Sequence, residues 1–150
     1  MELDLMTEFN QVQLTLHSDQ DGEQSTTQFI GQAFQKGSSL YIRYTESADT
    51  LQQEVRTVVK IDDHEVKIMR RGGVESDQTF RQEKQLPGSY RSPFMTFALS
   101  THTTQLTQEL DGHLGRVNWE YELYVHEELT GTFKISLHIQ ALDTHEIDEV

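Results

Sequence analysis

The sequence predicts an all-β fold, a single antiparallel up-and-down β-barrel of about eight to ten strands. Apolar and polar residues alternate with a period of two along most of the chain, while the period of an amphipathic helix is almost absent. Turn signals separate the alternating stretches at hairpin spacing. Strands with one wet face and no covering helix must bury their apolar faces against one another, and a closed barrel does this without leaving an edge.

The strands follow one another along the chain, each with one apolar face. Because side chains two apart share a face of a strand, the interior can be assigned by position. The predicted inward residues are Val12, Leu14 and Leu16; Leu40, Ile42 and Tyr44; Val55, Thr57, Val59 and Ile61; Val66, Ile68 and Arg70; Val74, Ser76, Gln78 and Phe80; and the odd-numbered residues of 117–125 and 133–141. The aromatic residues predicted to lie in the core are Phe94, Phe97, Trp119, Tyr121 and Phe133.

Short polar and glycine-containing segments mark where the hairpins close. They are Asp21-Gly22, Lys36-Gly37-Ser38, Asp62-Asp63-His64, Gly72-Gly73, Asp111-Gly112 and Thr130-Gly131. Gly31, inside the long stretch 24–36, predicts a bend or bulge at a corner of the sheet. Pro87 and Pro93 interrupt the chain around Tyr90, which predicts an irregular crossing or an edge there.

Length and composition limit the class of protein. The chain has 150 residues, which predicts one domain spanning 1–150, with 1–7 and 143–150 peripheral or frayed. The net charge of −13 argues against nucleic-acid and anionic-membrane partners, which need a basic face. There is no cysteine, no secretory signal and no apolar run long enough to span a membrane, so we expect a cytoplasmic protein.

The charge is unevenly distributed along the chain. Residues 56–91 hold eight of the 12 basic residues against six acidic ones, a net charge of +2, while both flanking regions are acidic. This pattern has two interpretations. It is either an ordinary solvated surface or a local positive field suited to a small anionic ligand.

The stretch 65–73 contains the most informative residue of the chain. Val66, Ile68 and Arg70 share one face of a strand, and Arg71 lies on the other. If the Val66 and Ile68 side chains face the core, Arg70 points inward and its guanidinium needs a partner. No helix follows Gly72-Gly73, so this segment is not a phosphate-binding loop.

Arg70 leads to two interpretations. In the first, it anchors a carboxylate or phosphate inside the barrel, beside other inward polar and aromatic residues. The candidate ligand-binding residues are Arg70, Gln78, Phe80, Tyr90, Tyr44 and Tyr121. In the second, Arg70 closes the barrel by capping backbone carbonyls or pairing with a glutamate, and binds no ligand.

No catalytic motif, cofactor fingerprint or metal-ligand spacing is present. We therefore expect that the protein is not an enzyme and that it binds no cofactor and no metal ion. The predicted function is a non-catalytic binding protein that holds a small anionic or amphipathic ligand in the barrel. The alternative is a protein-interaction or self-association module, such as a homodimer, that uses its acidic outer surface. Tyr41 and Tyr124 lie on polar faces and would suit such contacts.

A family resemblance depends on particular segments. They are Gly31, Leu40-Tyr41-Ile42-Arg43-Tyr44-Thr45-Glu46, Val58-Val59-Lys60, Ile68-Met69-Arg70-Arg71-Gly72, Phe80 and Tyr90, followed more loosely by Phe97–Thr103, Gly115-Arg116 and Tyr121. With these residues the chain resembles, from about Val12 to Gln140, the YwiB-like family of small bacterial proteins of uncharacterised function. The resemblance implies a lipocalin-like (calycin-type) β-barrel with an internal cavity, and it implies no activity.

Overall fold

The structure is a computed structural model that describes residues 9–48 and 53–142. Ten β-strands make up this part of the chain. They are β1 (Asn10–Gln20), β2 (Glu23–Lys36), β3 (Ser39–Ala48), β4 (Gln53–Ile61), β5 (Glu65–Gly72), β6 (Glu75–Arg81), β7 (Gln85–Arg91), β8 (Thr96–Asp111), β9 (Leu114–Val125) and β10 (Glu128–Ala141). The predicted peripheral segments 1–7 and 143–150 lie outside the described residues.

The strands form one closed barrel. Each strand pairs antiparallel with its neighbours in sequence, and β1 also pairs with β10, which closes the sheet. The predicted all-β up-and-down barrel is therefore confirmed, and its strand number is at the top of the predicted range. Within residues 9–48 and 53–142 there is no helix long and apolar enough to cross a membrane.

The interior of the barrel has two halves that differ in exposure. The closed half lies toward the turns that follow β2, β4, β6 and β8, and the open half lies toward the turns that follow β1, β5, β7 and β9. Buried apolar side chains fill the closed half: Val12, Leu14, Leu40, Ile42, Val59, Ile61, Val66, Phe80, Val117, Trp119, Leu137 and Ile139. Leu106, Leu110 and Leu114 of the β8–β9 hairpin pack against this cluster.

Toward the open half, most inward side chains stay partly exposed. They are Leu16, Phe29, Tyr44, Ile68, Arg70, Gln78, Tyr90, Phe97, Leu123, Phe133 and Ile135. Their alternation with outward residues follows the predicted period of two. One end of the interior is therefore solidly packed, and the other is accessible to water.

Two pairs of neighbouring strands are joined over short lengths. β2 pairs with β3 only over Gln32–Lys36, and β6 pairs with β7 only over Glu75–Asp77. At the first seam, a Cβ on Gly31 would lie 2.6 Å from the carbonyl oxygen of Arg43, so only glycine fits where β2 leaves β3. The β1–β2 register runs unbroken through Gly31, so this position is a corner and not a bulge. At the second seam, a Cβ on Gly88 would clash with the carbonyl oxygen of Asp77.

Two predictions from the sequence were wrong. The turn assigned to Thr130-Gly131 lies earlier, at His126 and Glu127, whose φ angles of 51° and 64° place both in the left-handed region. Such a two-residue turn matches the twist of a hairpin, although non-glycine residues seldom adopt it. Gly131 instead lies within β10, directly after the point where the register of β10 against β9 shifts, between Leu129 and Gly131. Phe94, assigned to the core, lies in the β7–β8 turn and is 80% exposed.

Candidate functional site

Arg70 points into the barrel, as its strand phase predicts. It lies on β5 opposite Thr57 of β4, and its Nε donates to Oε2 of Glu46 at 3.2 Å. The same carboxylate oxygen accepts a hydrogen bond from the Thr57 hydroxyl at 2.6 Å. The Arg70 and Glu46 side chains are 32% and 25% exposed, so the pair is at the edge of the water-accessible region. Pairing with a glutamate is the feature that the second interpretation of Arg70 predicts.

Phe80, Gln78 and Tyr121 lie deeper in the interior. The Phe80 ring is buried, with its centroid 4.6 Å from that of Tyr121 and 5.5 Å from that of Trp119. Burial raises the pKa of the Tyr121 phenol to about 12, and a hydrogen bond with Gln78 partly opposes this rise. Phe80 therefore forms the floor between the closed half and the open half, with Gln78 and the Tyr121 hydroxyl beside it.

Tyr44 and Tyr90 lie on opposite sides of the open half. The Tyr44 ring contacts Phe29 at 4.5 Å between centroids, and Tyr90 stacks on Phe97 at 5.0 Å. Burial raises the pKa of the Tyr44 phenol, the charge of Glu46 raises it further, and Arg70 opposes both effects. All the candidate residues predicted from the sequence thus face the same interior, on strands β3, β5, β6, β7 and β9.

Sequence reasoning did not assign Glu46 to this interior, and it assigned some aromatic residues of the open half to the core. Glu46 continues the alternation of Ile42 and Tyr44 and could have been assigned inward by the same rule. Phe29 continues the phase of Gly31 in the same way. Phe97 and Phe133 were predicted as core residues, and the structure leaves both partly exposed in the open half.

Arg71 lies on the outer surface, as predicted. Its Nη2 binds both carboxylate oxygens of Asp77, at 3.1 and 3.2 Å, and its Nη1 donates to the backbone carbonyl of Arg70 at 2.8 Å. Two consecutive arginines therefore have separate partners on the two sides of the barrel wall.

These features define a class of protein: a small closed antiparallel barrel whose interior is packed at one end and lined by aromatic and polar side chains at the other. Residues 11–137 match the family described as "Domain of unknown function (DUF1934)", and the chain belongs to this family. The predicted YwiB-like membership is confirmed by two further comparisons.

The first comparison is with a curated sequence. The chain is 31% identical over 121 residues to the "Uncharacterized beta-barrel protein YwiB" of Bacillus subtilis (strain 168). The matched region covers 77% of this chain and 84% of that protein. The second is with a solved structure, "Crystal structure of ywiB protein from Bacillus subtilis". That structure matches with a TM-score of 0.80 and 25% identity, over 94% of this chain and 99% of the other.

Proposed function

We propose that this chain is a non-catalytic binding protein that holds a small amphipathic molecule in the open half of its barrel. The observation that carries the proposal is the difference between the two halves of the interior. A barrel that served only as a scaffold would gain stability by filling both halves, because each buried apolar side chain contributes to folding. Here the aromatic side chains of the open half remain partly exposed to water.

The lining of the open half favours a ligand with an apolar body and a polar head. Phe29, Phe97 and Phe133 supply apolar and aromatic surface. Arg70, with Gln78 and the Tyr44 hydroxyl, supplies polar contacts. Because Glu46 offsets the charge of Arg70, we expect a polar or zwitterionic head to suit this site better than a simple anion.

The first experiment identifies a natural ligand. Native mass spectrometry of the protein purified from its own cells should show a bound small molecule, which leaves when the protein is unfolded. The second experiment locates the site with a probe, N-phenyl-1-naphthylamine, a neutral amphipathic dye whose fluorescence rises in apolar surroundings.

Neighbouring residues on β9 provide a matched pair of variants for this test. Leu123→Trp adds bulk to the open half, whereas Tyr124→Trp places the same side chain on the outer face. We expect the inward change to weaken dye binding by roughly tenfold or more, which corresponds to about 1.4 kcal/mol. The outward change should have little effect. If Leu123→Trp does not fold, Leu16→Phe tests the same space. Equal dye binding by both members of the pair would exclude the open half as the site.

A second candidate function is self-association, and the exposed β7–β8 turn favours it. Phe94 and Met95 are 80% and 55% exposed at the tip of this hairpin. Light scattering after size exclusion, at low and high salt, distinguishes the two possible contacts. Association through the acidic surface would change with salt, whereas association through Phe94 would persist at high salt and be lost in Phe94→Ser. A monomer under both conditions excludes this candidate.

A further inference from the structure

The outer face of the β4–β5 ladder carries like charges directly opposite one another. Arg56 pairs in register with Arg71, and Lys60 pairs with Lys67. Val58 and Met69 form the pair between them. Like charges facing each other across a ladder destabilise a sheet. Two such pairs on one ladder concentrate positive charge on this face of a chain whose net charge is −13. Arg71 and Lys60 also have acidic neighbours, Asp77 at 3.1 Å and Asp62 at 4.0 Å, which offset part of this charge.

A groove lies on this face of the barrel, next to the corner where β2 leaves β3. We call it the arginine groove. Its volume is about 760 Å³, and its lining includes Ile30, Gly31, Arg43, Arg56, Val58, Met69 and Arg71. A volume of this size is within the range of roughly 300–1,000 Å³ that is typical of small-molecule sites. The apolar part of the lining is substantial, since the Ile30 side chain is 63% exposed.

Two of the arginines are held in place by other contacts. Arg71 binds Asp77 through Nη2 and two backbone carbonyls through Nη1, those of Arg70 and Ser76, at 2.8 and 3.2 Å. The Arg43 Nε donates to Gln32 at 2.6 Å, and its guanidinium lies 4.6 Å from the centre of the Phe9 ring. Side chains already fixed in position lose less conformational entropy on binding a ligand.

We propose that the arginine groove binds a small organic phosphate. The phosphate would lie among Arg43, Arg56 and Arg71, because guanidinium groups pair bidentately with phosphate oxygens. The apolar body of the ligand would contact Ile30, Val58 and Met69. Asp77 offsets part of the charge of Arg71, which leaves Arg43 and Arg56 as the main source of positive potential.

The surrounding charge argues for a small ligand and against a long polyanion. A nucleic acid strand would extend beyond the groove over a surface whose charge is strongly negative overall, and its phosphates would be repelled there. The charged side chains that line the groove are all basic, so a ligand confined to it does not meet the negative charge of the wider surface. Tyr44 and Thr57 line both this groove and the open half of the barrel, whereas Arg43, Arg56 and Arg71 lie on its outer side. Variants of these arginines therefore test the groove without changing the side chains proposed to hold a ligand in the open half.

The test uses 1-naphthyl phosphate, which carries both a phosphate and an apolar body, titrated into isotope-labelled protein and followed by NMR. We expect saturable shifts at the backbone amides of the arginine groove. Inorganic phosphate should bind more weakly at the same amides, and 1-naphthol more weakly still. Shifts confined to other residues, or no shifts in the groove at millimolar phosphate ester, would overturn the proposal.

Matched variants separate a built site from general attraction to positive charge. Arg56→Gln should weaken 1-naphthyl phosphate binding roughly tenfold, as expected for losing a charge-assisted hydrogen bond. Arg116→Gln removes the same charge from β9, across the barrel from β4, and should leave binding unchanged. Val58→Thr should weaken the ester and not inorganic phosphate. Equal losses of 1-naphthyl phosphate affinity in the Arg56 and Arg116 variants would refute the proposal that the groove is the binding site. Leu123→Trp, which changes the open half, should not alter binding of the ester.

Discussion

Arg70 and Glu46 form an ion pair inside the barrel wall, with Nε of Arg70 3.2 Å from Oε2 of Glu46. The next residue, Arg71, points outward to Asp77. One step along a strand thus separates a charge-balanced pair in the interior from a cluster of arginines on the surface. The two arginines can therefore be varied independently.

Replacing Arg70 by alanine should lower the free energy of unfolding by about 1–3 kcal/mol, because Glu46 would keep a partly buried charge without its cationic partner. Urea denaturation measures this change. Adding Glu46→Gln to Arg70→Ala should recover part of the loss, since the double variant no longer buries an unpaired charge. A double variant as unstable as the sum of the two single variants would show that the pair is not coupled.

Two buried threonines of β8 should respond in opposite directions to replacement by valine. Thr101 Oγ1 donates to the carbonyl of Thr79 at 2.8 Å, whereas Thr103 Oγ1 has no hydrogen-bond partner among the described residues. We expect Thr101→Val to destabilise the protein by about 1 kcal/mol and Thr103→Val to stabilise it by about 0.5–1.5 kcal/mol. Thermal unfolding of both variants checks the signs, and a loss in both would contradict the assignment at Thr103.

Stability should fall in strong alkali, partly through Tyr121. Its pKa rises from 10.0 to about 12 on folding, mainly because of burial. The phenol therefore ionises first in the unfolded chain, so its contribution is complete below pH 10 and is lost as the pH approaches 12. Denaturation at a series of pH values should show a shallower alkaline decline for Tyr121→Phe than for the wild type. An identical decline would mean that Tyr121 does not titrate differently in the two states.

The inner and outer faces of the barrel could be predicted from the sequence because strand phase needs only a period of two. Arg70, Tyr121 and Trp119 all face inward as that rule requires. The partner of Arg70 could not be chosen this way, since Glu46 reaches it only through the pairing of β3 with β4 and of β4 with β5. The arginine groove could not be predicted for the same reason, because it too requires knowing which strands pair and in which register. Arg43, Arg56 and Arg71 are on three strands, and the registers of β3 with β4 and of β4 with β5 place them on one outer face, beside the corner at Gly31.

That corner provides a further test. In Gly31→Ala the new methyl group would meet the Arg43 carbonyl at 2.6 Å, closer than real contacts allow, so a strand must move. We expect a loss of about 1–3 kcal/mol, as for other overpacked positions. Amide hydrogen exchange should also become faster over Gln32–Lys36, where β2 pairs with β3.

Gly37→Ala is the control for the Gly31 variant. Gly37 has a φ of 64° and open space around it, so its replacement should cost about 1 kcal/mol through backbone strain alone. In this variant, amide hydrogen exchange near Gln32, at the end of the β2–β3 pairing farthest from Gly37, should stay slow. If both variants accelerate exchange equally at Gln32, the close approach of the Arg43 carbonyl to Gly31 is not what determines the stability of the β2–β3 pairing there.

The like-charge pairs of β4 and β5 should reduce stability while no anion is bound. Lys67→Glu places an opposite charge across from Lys60 and should stabilise the protein by about 0.2–1 kcal/mol in buffer without phosphate. Lys134→Glu is the control. Lys134 lies opposite Glu120, with its Nζ 3.7 Å from Oε1 of the glutamate, so reversing the charge of Lys134 should destabilise the protein. Urea denaturation at low and high salt measures both. Added salt should stabilise the wild type relative to Lys67→Glu, since screening weakens the repulsion that this variant removes. If Lys67→Glu has no effect at low salt, the facing lysines do not repel each other, and the groove loses one of the arguments for an anionic ligand.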